Sequence, residues 1–318
     1  MRTKSALIAL LASALFLTTP APATASRGDD RRGPDNGDIA FGRFDPALEG
    51  LSLWVAESDG SQQRRLTEDQ ANFSDWGPDG SRIAFDFADE TGVHIATIDP
   101  DGQHRTAITS ASGVQEAPKW SPDGESIAYN GFPFPVDEAN FAISIWIMDA
   151  DGSDPRQLTD GAVDVEPVFS PDGTRLAFGR IAGDSPDGQL EAIYVINSDG
   201  TDLHEVVAPR AGLEHPDWSP DGRLITFNIA PESPAAADSG SILAVRPDGS
   251  GLRVLQPATA GLKFFKAVWS PDGRQMLSGC FDAADSIDRI CTVSRGGRVS
   301  VVVGGAQRVN FPSWGPAD

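Results

Sequence analysis

The chain has 318 residues, 40% hydrophobic and 22% charged, with 46 acidic against 25 basic side chains and a formal net charge of −21. An acid excess of this size repels nucleic acid and anionic membrane surfaces, which excludes a protein held to either by a general basic face. Only two cysteines are present, which excludes a disulfide-dense scaffold, and 33 glycines with 24 prolines predict a chain broken by many turns.

Residues 1–25 read as a secretory leader. Arg2 and Lys4 supply the basic start, residues 6–17 the apolar stretch, and Ala23-Thr24-Ala25 a small-x-small cleavage site before Ser26. The apolar run is too short to span a bilayer comfortably, so no membrane insertion is expected. Loss of Arg2 and Lys4 takes the net charge to −23. A generically acidic exported protein explains that charge; attraction of a basic partner or of metal ions is the sharper alternative. Residues 26–37 are polar and Gly/Pro-rich, a flexible segment ahead of the fold. The expected location is secreted or periplasmic.

From residue 38 onward one pattern dominates. Trp76-Gly-Pro-Asp-Gly80 returns as Trp120-Ser-Pro-Asp-Gly124, then at Phe169, Trp218 and Trp269, and degenerately at Trp314. The aromatics are 44, 49, 49, 51 and 45 residues apart, a period that indicates a repeat array or propeller. Each period carries four strand-like segments; in one they are residues 117–120, 126–129, 144–149 and 156–159. Ser-Pro-Asp-Gly joins the first two, with proline presetting φ and glycine accepting a positive φ. Asp-Gly hairpins such as Asp151-Gly152 and Asp199-Gly200 join the last two. Almost no helix is expected.

The second and third strands each occur six times, but the first does so only if residues 311–314 are counted. The fold therefore starts on a second strand and ends on a first. The sequence predicts an all-β fold, one domain over residues 38–318: a six-bladed β-propeller of four-stranded blades, its ring closed by the C-terminal strand. The repeated aromatics are expected to pack between blades.

Chemistry-bearing patterns are few. Cys280 and Cys291 flank a loop between antiparallel neighbours and are expected to form a disulfide in an oxidising compartment. There is no Gly-x-Ser-x-Gly elbow and no His-Glu-x-x-His, so no catalytic residue, metal ligand or cofactor is assigned. His94, His104 and His204 read as surface or edge histidines. Residues 149–160 resemble a calcium loop, but glycine at the fourth position and flanking strands favour a plain turn.

One set of positions varies while the rest repeat. Just before each Pro/Ser/Ala-x-aromatic element stand Asn72-Phe73, Glu116-Ala117, Val165-Glu166, Glu214-His215, Phe265-Lys266 and Asn310-Phe311. Innermost strands of a propeller begin at the funnel rim. Asn72, Phe73, Glu116, Glu166, Glu214, His215, Phe265, Lys266, Asn310 and Phe311 are thus the candidate ligand-binding residues, with polar loop ends as the plainer explanation. The loops at residues 131–140, 179–191 and 231–240 lie at the same end and vary most.

The run Pro-x-Trp-Ser-Pro-Asp-Gly, Ile-Ala-Phe, Ile-Trp-Ile-Met-Asp-x-Asp-Gly, Arg-Gln-Leu-Thr resembles the TolB-type propeller repeat, over essentially all of residues 38–318. The family's namesake is a periplasmic protein that binds partner proteins in envelope maintenance, and it carries an N-terminal α/β domain that this sequence lacks ahead of its repeats. Related repeats occur in propeller peptidases, whose separate hydrolase domain is not found here. They also occur in oligogalacturonate lyases with a histidine-rich metal site, of which only His215 has a counterpart position. The resemblance implies an exported, non-catalytic, monomeric binding module for an envelope or extracellular protein segment or a carbohydrate. A metal-assisted polysaccharide lyase or hydrolase is the alternative.

Overall fold

A computed structural model describes residues 36–134, 141–185, 188–231, 238–259, 261–282, 287–305 and 308–316. The expected leader and most of the polar segment after it lie outside the described residues, as do the middles of the three variable loops. Every regular element among the described residues is a strand. They are β1 (Ile39–Asp45), β2 (Gly50–Ala56), β3 (Arg64–Arg65), β4 (Ser74–Trp76), β5 (Ile83–Asp89), β6 (Gly92–Ile98), β7 (Thr106–Ala107) and β8 (Gly113–Trp120). There follow β9 (Ser126–Pro133), β10 (Ser144–Asp149), β11 (Arg156–Gln157), β12 (Val163–Phe169), β13 (Arg175–Ser185), β14 (Gly188–Asn197), β15 (His204–Ala211) and β16 (Leu213–Trp218). The last are β17 (Ile225–Ile229), β18 (Ile242–Val245), β19 (Arg253–Gln256), β20 (Leu262–Trp269), β21 (Gln275–Asp282), β22 (Ile287–Ser294), β23 (Val299–Val303) and β24 (Val309–Trp314).

The fold is an all-β propeller of four-stranded blades. Four sheets stand alone: β12-β13-β14-β15, β16-β17-β18-β19, β20-β21-β22-β23 and β24-β1-β2-β3. The expected six separate blades are corrected here. Strands β4 to β11 run together in one eight-stranded sheet. The joint is a short parallel pairing, Gly92 with Gly113 and Val93 with Val114. Glycine at both positions permits it, since a Cβ on Gly92 would stand 1.8 Å from the Gly113 carbonyl oxygen.

The C-terminal strand closes the ring. Trp314 pairs with Ile39 and Val309 with Arg43, so β24 supplies the innermost strand of the sheet that β1 begins. The Ser-Pro-Asp-Gly turns form as their chemistry requires. At residues 121–124 the Ser121 hydroxyl donates to Asp123 Oδ1 at 2.5 Å, the Gly124 N–H closes on the Ser121 carbonyl at 2.9 Å, and Gly124 has φ +74°. At the loop that resembled a calcium site, Asp151 Oδ1 accepts from the Ser153 N–H and hydroxyl, as an ordinary Asx turn does.

The repeated aromatics pack between sheets as expected. Trp218 joins Val168, Ala177 and Val195 of the preceding sheet in one buried cluster, and Trp76 packs with Leu53 and Val55. Five of the six are buried; Trp120 is partly exposed. Cys280 and Cys291 form a disulfide across β21 and β22, with Cα atoms 5.9 Å apart. His94 departs from its expected surface position: it is 1% exposed, and its ring lies within hydrogen-bond reach of Thr91, Asp89 and Gln115.

Candidate binding site where the innermost strands converge

A repeated bulge builds the site. The ladders of four first strands slip, between Glu116 and Lys119, Val165 and Val168, Glu214 and Asp217, and Phe265 and Ala267. At each slip one residue turns left-handed: Ala117 (φ 53°), Glu166 (55°), His215 (55°) and Lys266 (44°), with Phe311 (51°) in β24. Such a φ costs a non-glycine residue on the order of 1 kcal/mol or more and recurs where a side chain must be re-aimed. In four of the five the next residue is proline, which itself disfavours the right-handed alternative.

The re-aimed side chains meet. Ala117, Glu166, His215 and Lys266 from four first strands, with Phe73 just ahead of β4, line a cavity of about 20 Å3. That is room for one water. A larger ligand would rest on this ring rather than pass through it. His215 Nδ1 is in direct contact with Glu166 Oε2, and His215 Nε2 lies 3.9 Å from Glu214 Oε2. Lys266 Nζ sits 4.4 Å from the Phe73 ring centre and 4.7 Å from that of Phe311, and the two rings are 4.4 Å apart.

The protonation balance follows from burial against neighbouring charge. Burial alone would lower the His215 pKa, but Glu166 and then Glu214 hold it above its ordinary value. Burial would raise Glu166, yet His215 and Lys266 bring it below the usual carboxylate range. Lys266 falls to about 8, driven by burial and only partly offset by Glu166. Glu116 rises to about 8 through burial and the nearby Asp86, although Asn130 Nδ2 donates to it at 3.1 Å. Asp86, fully buried, rises to about 6 despite accepting the Asn72, Phe73 and Ala117 N–H groups. Glu191 is pushed well up by burial and by Glu166 and Glu214, and its Oε1 has no hydrogen-bond partner. That carboxyl occupies the space a Cβ at Gly179 would take.

A second tier ties the blades together. Lys119 Nζ meets Asp75 Oδ1 at 2.7 Å, and Asp217 rises to about 6 through burial, moderated by Lys119. Asp75 accepts the Trp120 N–H at 2.9 Å and Asp217 the Trp269 N–H at 2.8 Å, so each carboxylate anchors the aromatic of a neighbouring first strand.

Of the expected rim residues, Phe73, Glu166, His215, Lys266 and Phe311 come together, with Glu214 beside them. The others are placed differently. Glu116 is buried among Asn130 and Asp86, Asn72 presents its backbone to Asp86, and Asn310 Oδ1 accepts the N–H of Phe311. Phe265 lays its ring over Gly279. Sequence reasoning missed Asp75, Asp86, Lys119, Glu191 and Asp217. Aligning the repeats would have shown Asp75, Lys119 and Asp217 between the Pro/Ser and the aromatic, and Asp86, Asn130 and Asn228 just past the Ile-Ala-Phe element. Among the described residues no group of three or more His, Cys, Asp or Glu side chains has metal-holding geometry.

A ring of repeated four-stranded sheets, closed by its terminal strand and carrying variable side chains at its centre, defines a β-propeller scaffold. The chain belongs to the TolB β-propeller domain family, whose model matches residues 40–318. It is 26% identical over 179 residues to an uncharacterised protein of Agrobacterium fabrum, covering 54% of this chain and 59% of that one. It is 35% identical over 125 residues to the Tol-Pal system protein TolB of Anaeromyxobacter dehalogenans, covering 35% of this chain and 24% of that one. The chain thus spans less than two thirds of these curated relatives. TolB from Acinetobacter baumannii superposes with a TM-score of 0.72 at 22% identity, over 89% of this chain and 68% of that chain, which shows a shared fold.

Proposed function

We propose that the protein is an exported, non-catalytic binding module that takes a positively charged protein segment on the ring formed by Glu166, Glu214, His215 and Lys266. One observation carries this reading: around the ring the carboxyls of Asp75, Asp86, Glu116, Glu166, Glu191, Glu214 and Asp217 outnumber the cationic groups of Lys119, His215 and Lys266. Glu116 and Glu191 are forced toward neutrality there, and Lys266 is the one amine among the lining side chains that faces the two phenyl rings. A lysine or arginine resting on the ring would relieve that excess and restore the carboxylates. Phe73 and Phe311 are engaged by each other and by Lys266, so the flat faces on which a sugar would stack are taken. This favours protein over carbohydrate.

We read the eight-stranded sheet as two blades joined at Gly92 and Gly113, giving six repeat units. Residues 1–25 act as an export leader in this reading, and 38–318 form the one propeller domain. The Cys280–Cys291 disulfide supports a periplasmic or extracellular location. The TolB relatives support an envelope protein as partner.

The test is a peptide array probed with the full chain, followed by calorimetry on the strongest basic binder. Glu166→Gln and Glu214→Gln should weaken binding about tenfold each, and binding at pH 7 should release protons as Glu116 and Glu191 ionise. Asp151→Asn and Asp199→Asn, in the outer hairpins, should leave it unchanged. Equal losses in ring and hairpin variants would place the site elsewhere. Manganese-dependent cleavage of polygalacturonate, lost in His215→Ala, would replace this reading with the lyase.

A further inference from the structure

A second concavity lies at the other end of the strands from the ring. Arg175 and His204 of the β12–β15 sheet face Arg223, Arg246, Pro247 and Asp248 of the β16–β19 sheet across an open groove of about 480 Å3. In a chain with 46 acidic and 25 basic residues, three arginines gathered in one groove are a local reversal of charge.

The repeat shows how the reversal arises. Arg82 and Arg175 occupy the same place, six residues after the aromatic of their pentapeptides. Arg82 is neutralised within its own sheet, with Nη1 donating to Thr97 at 2.9 Å and Nε lying 3.8 Å from Asp99. The residue matching Asp99 is the one whose N–H closes the Asp-Gly hairpin. It is Glu57, Asp99 and Asp149 in three repeats, but Asn197 and Arg246 in the two that border this groove. A carboxylate has been replaced first by an amide and then by a guanidinium.

Among the described residues none of Arg175, Arg223 and Arg246 has a carboxylate oxygen within ion-pair distance; each acts on a carboxylate only from farther off, helping to lower the pKa of Asp172, Asp221 and Asp248 respectively, whereas Arg65, Arg105, Arg180 and Arg308 each form an ion pair. Arg175 is held in place by stacking, with Cζ 4.9 Å from the Trp218 ring. Arg246 Nη1 makes a 3.3 Å hydrogen bond to Ser250. Asp248, which also lines the groove, accepts the Ser250 N–H at 2.9 Å. Arg223 and Arg246 sit at adjoining strand ends, since Ile225 pairs with Val245. Guanidinium forks converging from two blades match the tetrahedral oxygens of a phosphate.

We propose that this groove is a binding site for a phosphate-type oxyanion, separate from the ring. Arg223 and Arg246 supply the main charge-assisted donors, and Arg175 is the stacked, preset one. It is independent of the proposed function and stands or falls by its own test.

The test titrates inorganic pyrophosphate into the full chain at low salt, followed by calorimetry and by amide chemical shifts. Saturable one-site binding is expected, with shifts confined to residues around 175, 204, 223 and 246. Arg223→Gln and Arg246→Gln should each weaken it about tenfold. Both side chains are exposed, so melting should not change. Arg274→Gln, an exposed arginine in the next repeat beside Asp272, should bind as the parent does. Phosphatidylcholine vesicles with and without phosphatidic acid run alongside. Retention on the acidic vesicles adds lipid headgroups to the ligands, and its absence leaves soluble phosphates. Non-saturable binding, or equal weakening in Arg274→Gln, would overturn the proposal.

Discussion

Replacing Glu116 with glutamine should make the protein more stable, by nothing at about pH 4 and by an amount that grows as pH rises to about 8. The side chain is 8% exposed, and burial together with Asp86 lifts its pKa from 4.5 to about 8. The folded chain therefore holds this proton more tightly than the unfolded chain. The stability it confers is fully present below pH 4.5 and is lost as pH rises through the window up to about 8. By linkage the loss is on the order of 3 kcal/mol at pH 7 and levels off above pH 8. Glutamine keeps an oxygen for Asn130 Nδ2 but has nothing to ionise, so the variant escapes the loss. Urea unfolding of parent and Glu116→Gln, followed by tryptophan fluorescence from pH 4 to 9, measures the difference. Asp86, Glu191 and Asp217 are also raised and titrate in both proteins, so the difference reports Glu116 together with its coupling to Asp86. It should be near zero at pH 4 and favour the variant by roughly a hundredfold or more in the unfolding constant at pH 8. A difference that does not change with pH would refute the reasoning.

Two further predictions test the frame. Changing both Cys280 and Cys291 to alanine should lower stability by roughly 2–3 kcal/mol, as expected for a short closed loop, and should abolish any effect of reductant on the melting curve. A reductant effect that persists in the double variant would exclude the disulfide as its source. Deleting residues 309–316 removes β24, bares the edge of β1 and takes away the buried Val309 and Trp314. Loss of cooperative melting or aggregation is expected, since a buried strand edge is left unpaired; a truncated chain that melts as the parent does would show that β24 does not close the ring.

The fold was legible because its determinants repeat. A pentapeptide that sets a turn and places an aromatic between sheets announces itself at each return, and the offset between second and first strands implied closure by the tail. The joint between β6 and β8 was hidden because it rests on two glycines whose missing side chains carry no pattern. The site was legible as a place but not as an arrangement. Variation at the bulge positions marked where recognition could reside, and Glu166, His215 and Lys266 do meet there. Which member of each pair faces inward depends on the left-handed bulge, which alternation along a strand does not reveal. For the same reason Glu116 was expected exposed at the rim and is instead buried, where Asp86 and, less strongly, Glu166 act on it.

The buried charges share one physical origin. In a propeller the innermost strands crowd at the centre, and backbone groups freed by each bulge need partners there. Asp86 satisfies N–H groups of two first strands, and Asn130 and Asn228 each accept one from the next blade. At the equivalent place Gly179 and Gly279 provide only space, and Glu191 and Phe265 fill it. Phe265 fills it without charge, whereas Glu191 brings a carboxyl with an unpartnered oxygen into a volume already holding Glu166 and Glu214. Glu191→Gln therefore distinguishes a structural filler from part of a charge-sensing ring. As filler, glutamine should serve equally and leave basic-peptide affinity unchanged. As part of the ring, it should reduce the protons released on binding at pH 7 while the fold stays intact.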